Sequence, residues 1–211
     1  MTVSLWPLAT TLLLAPAPAE PATAADEPAA RDAPTRAFNR DRRRIQLAGM
    51  LSLSGWAVAN LAGGTVGFFT ADEGADKYFH QMNALWNLVN LPLGIIGMVS
   101  AAREDPGALG SRAAIRASRK QQRVYLINAA LDLVYLTGGG LTWTLGAQRE
   151  LPRAIGYGRS VVLQGAFLLA FDAVLLAVHE RRLARYESRP RVAPGVALTG
   201  DALTLQLRGA F

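Results

Sequence analysis

Four long runs of this chain carry almost no charge, and that constrains the possible folds more than any other feature. From Ile45 to Ala71 no charged side chain occurs, and from Tyr78 to Ala102 the only interruption is His80. Val124 to Gln148 contains a single charge, Asp132, and Ser160 to Val178 a single charge, Asp172. A helix needs about 20 predominantly apolar residues to cross roughly 30 Å of hydrocarbon. A soluble core helix is shorter and shows a polar face rich in Lys and Glu. None of the four runs does. The sequence therefore predicts an all-α membrane protein with four transmembrane helices, over 45–71, 78–102, 124–148 and 160–179. Short connections, Asp72 to Lys77 and Arg149 to Arg159, favour an antiparallel up-down-up-down bundle. The longer connection, Arg103 to Arg123, reads as a polar loop with a short amphipathic helix at Ser111–Arg119.

Charged residues make up only 18% of the chain, against about 25% in an ordinary soluble domain. The absence of cysteine excludes a disulfide scaffold, a thiolate metal site, an iron–sulfur cluster and a cysteine nucleophile. Net charge is +6, and all 22 Lys and Arg lie outside the four runs. That placement fits membrane flanks, so the lipid bilayer is the expected partner and nucleic acid is not.

The ends differ from the middle. Residues 3–15 are apolar but too short to span, and Ala17-Pro18-Ala19 and Ala22-Thr23-Ala24 resemble small-residue cleavage sites. Residues 1–24 read as a signal-like segment without the usual basic start, and 25–37 as a disordered linker. The membrane domain is placed at 38–187. In the tail, 188–211, apolar residues alternate around Gly200-Asp201, which predicts a small β-hairpin or else a disordered tail.

Two rules conflict over orientation. The side where helix one begins, side B, receives Arg36, Arg40, Arg42, Arg43 and Arg44, the Arg103–Arg123 loop, and Arg181, Arg182 and Arg185. The opposite side A receives the acidic Asp72, Glu73 and Asp76 with Lys77, and the loop carrying Arg149, Arg153 and Arg159. The positive-inside rule puts side B in the cytoplasm, whereas a cleaved signal would export it. Because the signal lacks its basic start, the charge rule is preferred.

Each helix carries a stripe that is at least partly polar. His80, Asn83, Asn87 and Asn90 share one face of helix two; Gln121, Tyr125, Asn128, Asp132 and Tyr135 share one face of helix three. Helix four aligns Gln164, Asp172 and His179 with Leu168 between the first two, and helix one aligns Gln46, Leu53, Asn60 and Gly67. Polar groups at membrane depth usually face the bundle interior. Counting depth at about 1.5 Å per residue brings Asn87, Asn90, Asp132 and Asp172 together near the midplane. A second cluster, Asn60, His80, Asn83 and Gln164, gathers toward side A; a third, Asn128 and His179, joined by Arg123, toward side B. Two carboxyls at that depth without a neighbouring cation should not both be ionised. Functionally the midplane set reads as a ligand or proton site, and structurally as interhelical hydrogen-bond glue.

Gly63 and Gly67, and Gly94 and Gly97, allow close helix approach. Pro92 predicts a kink, the run Gly138-Gly139-Gly140 a loosened third helix, and Gly156-Tyr157-Gly158 a loop. Two histidines in a membrane bundle invite haem, but His80 and His179 lie near opposite faces, roughly 26 Å apart by helix rise. No metal-ligand spacing accompanies either, so neither cofactor nor metal is expected. Phosphate-loop, zincin and nucleophile-elbow motifs are absent, and no catalytic residue is assigned.

Several stretches carry a family resemblance: Phe38-Asn39 with Arg42, Gly55-Trp56-Ala57 with Asn60, and Tyr78-Phe79-His80-Gln81-Met82-Asn83 with Trp86-Asn87 and Asn90. Others are Asn128-Ala129 with Leu131-Asp132 and Tyr135, and Gly156-Tyr157-Gly158-Arg159-Ser160 with Leu163-Gln164-Gly165, Phe171-Asp172 and His179. Over residues 38–180 the chain resembles an uncharacterised family of bacterial four-helix membrane proteins, a domain of unknown function. The resemblance implies an integral membrane protein with a signal-like start and no reaction; the expected location is the bacterial inner membrane, as a multi-pass protein. Two functional readings follow. The first is a non-enzymatic membrane protein whose polar interior binds a small ligand, a lipid or a partner helix, the partner being a second copy or another membrane protein. The second is a membrane enzyme or proton-coupled transporter that uses the Asp132/Asp172 pair.

Overall fold

The computed structural model describes residues 33–189, and nearly all of them are helical: α1 (Ala33–Thr70), α2 (Ala75–Arg103), α3 (Ser111–Gln148) and α4 (Pro152–Glu187). All four are long and apolar enough to cross a membrane. The signal-like segment and the tail hairpin lie outside the described residues.

All four helices start before their uncharged runs, α2 by less than a turn and the other three by two turns or more. Residues 33–37, assigned to the linker, form the first turns of α1; the amphipathic piece at Ser111–Arg119 is the uninterrupted start of α3; and α4 begins at Pro152. Hydrophobic length marks only the part of a helix that sits in lipid. The extensions on side B are amphipathic instead. On α1, Thr35, Phe38, Asn39 and Arg42 are buried while Arg36, Arg40 and Arg44 are exposed. On α3, Ala113, Ala114, Ser118 and Gln121 are buried while Arg112, Arg116, Arg119 and Arg123 are exposed. A helix of 38 residues is about 57 Å long at 1.5 Å per residue, far more than a bilayer core. The excess stands out on side B. On side A the turns are tight, and Gly74 supplies the positive φ of 144° that the α1–α2 turn uses.

The surplus length on side B folds into a cap. Phe38, Leu109, Ala113, Ala114, Leu183 and Tyr186 make a small apolar core there, with Phe38 stacked on Tyr186 at 4.3 Å. The Tyr186 hydroxyl bonds both Thr35 (2.8 Å) and Ser111 (2.9 Å). Asn39 donates to the carbonyls of Pro106 and Leu109, fastening the α2–α3 loop to α1. Arg43 donates to the last carbonyls of α2, at Ala101 and Ala102. Arg42 pairs with Glu104 at 2.9 Å, and Arg182 pairs with Asp41.

Sequence neighbours pack antiparallel, as short turns require, giving the hairpins α1–α2 and α3–α4. The two hairpins then join through α2 and α4, which run parallel. Gly156 near the start of α4 lies against Ala75 and Phe79 at the start of α2, and Tyr157 donates to Gln81 at 2.8 Å. Glycines set these approaches. Gly64 meets the backbone of Ala84 and His80, whereas Gly63, the expected contact, has nothing near it; Gly94 and Gly97 receive Ser54 and Met50. Gly139 does not loosen α3: the helix runs straight through the glycine run, and Gly139 packs on Gly158. Gly156-Tyr157-Gly158 is not a loop but a helical contact surface. The outward faces carry Leu51, Val66, Leu88, Ile96, Val134 and Val174, as a lipid-facing surface demands.

Candidate functional site

The bundle interior is layered along its length. Nearest side A, Gln164 is wholly buried and forms a hub. Its amide nitrogen donates to Asn60 Oδ1 (3.2 Å) and Asn83 Oδ1 (3.0 Å), and its carbonyl accepts from the Trp56 indole (2.9 Å). Ser160 donates to the same Asn83 oxygen at 2.7 Å. Trp56 is held flat on Phe167, ring centroids 4.0 Å apart. Of the second predicted cluster, Asn60, Asn83 and Gln164 do meet. His80 does not join them: it turns toward α1, its ring against Gly67 and edge-on to Phe79. The predicted cluster leaves out two members, Trp56 and Ser160, because the α4 stripe starts at Gln164 and the α1 stripe passes from Leu53 to Asn60. The signal was present, since Ser160 sits one turn before Gln164 on the same face.

Below this network comes an apolar layer, Leu53, Trp86 and Leu168, backed by Tyr135 and Phe171. Beneath it the midplane set divides. Asp132 and Asp172, 3% and 2% exposed, bring their carboxyls into hydrogen-bonding range across α3 and α4, and Asn128 reaches Asp172. Asn87 and Asn90 form a separate chain along α2: Asn90 donates to Asn87 Oδ1 (3.4 Å) and Asn87 to the Asn83 carbonyl (2.9 Å). No hydrogen bond among the described residues joins the two pairs. Helix rise places all four at one level, but α2 packs on α4 and scarcely touches α3.

Toward side B, Tyr125 donates to Gln46 Oε1 at 2.7 Å and accepts from Gln121, which also bonds Gln46. His179, 1% exposed, stacks on the Tyr125 ring at 5.5 Å. Asn128 and His179 therefore belong to adjacent layers rather than one cluster. Arg123 is exposed; the cation that enters the bundle is Arg42, 7% exposed, which lies one turn before Gln46 on the interior stripe of α1.

Residues 52–173 match DUF6992, a family of unknown function. The chain belongs to this family. No curated protein and no solved structure matches the chain. The DUF6992 segment contains the Gln164 network, the apolar layer and the Asp132–Asp172 pair, and it stops before His179. At its other end it leaves out Gln46 and Arg42, so the side-B polar layer and the cap lie largely beyond it.

One feature of the interior points to chemistry. Buried polar atoms are nearly always paired. Every member of the Gln164 network is. From the apolar layer toward side B, by contrast, Ser54 Oγ, Trp86 Nε1, Asn90 Oδ1, Asn128 Oδ1, Asp132 Oδ2, Asp172 Oδ1, Gln121 Oε1 and His179 Nε2 have no partner among the described residues.

Proposed function

We propose that this DUF6992 protein is a multi-pass protein of a bacterial inner membrane whose bundle interior binds a small polar ligand, with Asp132 and Asp172 as its anchor. The observation that carries the reading is the buried carboxyl pair, each member with one unpartnered oxygen. Hydrogen-bond glue between helices would leave no such surplus of acceptors. Asn90, Asn128 and His179 extend the binding surface, and the Gln164 network forms its rigid floor on side A.

Asparagine matches aspartic acid in shape and still hydrogen-bonds. Asp132→Asn and Asp172→Asn should therefore insert and fold, with stability changed by about 1 kcal/mol or less, since interhelical hydrogen bonds in lipid average ~0.6 kcal/mol. Asp172→Leu strands Asn128 and should cost about 1–3 kcal/mol. Thermal melting of the variants in nanodiscs, paired with complementation of a deletion strain, tests this. A binding role predicts that the Asn variants fold but fail to complement; full complementation by both returns the pair to a structural role.

The arginine-rich side B faces the cytoplasm in this reading, by the positive-inside rule. Reporter fusions after Glu187 should behave as cytoplasmic, and fusions between Asp72 and Asp76 as exported. The reverse pattern would mean that the N-terminal segment acts as a cleaved signal and overrides the arginines.

A further inference from the structure

We propose that the Asp132–Asp172 site takes up a small monovalent cation in exchange for a proton, and that the cation reaches it from side B. This rests on the binding role of the interior and names the ligand class and the entrance.

The class follows from the donor set. The unpartnered atoms at the pair are oxygens that accept: Asp132 Oδ2, Asp172 Oδ1 and Asn128 Oδ1. Asn128 is only 7% exposed and docks its amide on Asp172, which leaves its free oxygen beside the carboxyls. A ligand for such a set brings positive charge. Calcium would need about 6–8 oxygens, and a divalent ion displacing one proton would change the buried charge. The exchange –COOH + M⁺ → –COO⁻·M⁺ + H⁺ leaves it constant, which a low-dielectric interior favours.

The entrance follows from an asymmetry. Toward side A, Leu53, Trp86 and Leu168 close over the pair, and beyond them the Gln164 network leaves no fully buried side-chain atom without a partner among the described residues. Toward side B, buried polar atoms with unfilled hydrogen-bonding capacity continue through Gln121, His179 and Arg42 Nε to the cap. Water and ions are drawn to unsatisfied groups and excluded by apolar layers. The ionisable groups around the pair are Tyr125 on α3, His179 two turns along α4, and Arg42 with its partner Glu104 from α1 and the loop; α2 faces the interior with asparagines and Trp86.

The test uses the full chain in phosphatidylcholine nanodiscs. Adding NaCl, KCl or LiCl to weakly buffered protein in choline chloride should release protons saturably and raise the melting temperature. Both responses should be lost in Asp172→Asn and retained in His80→Gln, whose ring packs on Gly67 and Phe79 away from the pair. Because the chain has no cysteine, His179→Cys and Ser160→Cys place single thiols on the two sides of the pair on one helix. A charged, water-borne thiol reagent should modify the first and spare the second. Silence toward all three cations, with His179→Cys still labelled, overturns the cation assignment and leaves a hydrated binding interior standing. Labelling of Ser160→Cys as fast as His179→Cys overturns the entrance. Silence toward cations, no labelling at either position and full complementation by the Asn variants overturn the binding role as well.

Discussion

Gly158→Ala should be among the most damaging single-methyl additions to this bundle. A Cβ at Gly158 overlaps the backbone nitrogen of Trp143 and would lie 2.7 Å from both the Gly139 carbonyl oxygen and the Trp143 Cα. Those are backbone atoms of the facing helix, so no side-chain rotation makes room and α3 must move away from α4. Helix association in lipid draws on van der Waals packing rather than on water exclusion, and a gap along the seam forfeits that packing over several turns. A loss of about 3 kcal/mol, at the upper end of the usual overpacking cost, is expected. Gly138→Ala and Gly140→Ala supply the contrast, because nothing lies within 4 Å of either position. Alanine is the better helix former by about 1 kcal/mol, so these two should be neutral or slightly stabilising. Unfolding of all three variants in nanodiscs gives the comparison, and equal stability of Gly158→Ala and the parent would refute the close α3–α4 seam.

That comparison also shows where the sequence was legible. Four candidate spans could be read because hydrocarbon imposes a length of low charge that soluble helices do not share, and the structure has a helix long and apolar enough at each. The polar stripes could be read because a 3.6-residue period places Asn83, Asn87 and Asn90, or Asn128 and Asp132, on one face whatever the neighbours do. The neighbours themselves were not legible. Short turns dictate that α1 lies beside α2 and α3 beside α4, but nothing in the sequence says that the hairpins meet through parallel α2 and α4. That pairing is why Asn90 and Asp132, equal in depth, do not share a hydrogen bond. Glycines carried the missing information ambiguously. Gly138, Gly139 and Gly140 look alike in sequence, yet only Gly139 faces a partner helix at close range. Arg42 was misassigned for a related reason: a charge just outside an uncharged run reads as a flank, whereas the amphipathic extension of α1 turns it inward to Glu104. The DUF6992 match places the carboxyl pair inside the family segment and supplies no chemistry, so the case for a binding interior rests on unpartnered atoms alone.

Gln164→Leu tests the other half of the interior, the part in which hydrogen bonding is complete. Leucine has similar bulk and suits a membrane helix, so by hydrophobicity alone the change should help. The network predicts the opposite. Gln164 gives two hydrogen bonds and receives one, and its loss leaves the Trp56 indole and Asn60 Oδ1 unpaired, while Asn83 Oδ1 keeps Ser160. Trp56 cannot turn to seek another acceptor, since its ring is stacked on Phe167 within 3° of parallel. Each stranded group costs about 1–3 kcal/mol, moderated in lipid because the separated helices also find partners. The expected loss is about 2–4 kcal/mol, read as a lower unfolding midpoint in nanodiscs. Trp56→Phe keeps the stacking and removes the indole donor. Combined with Gln164→Leu it should therefore restore part of the loss, and the double-mutant cycle should show a coupling of about 1 kcal/mol or more. Additive effects would mean that Trp56 and Gln164 do not bond in the membrane. The hub of the side-A floor would then be broken, and with it the argument that the interior is closed on that side.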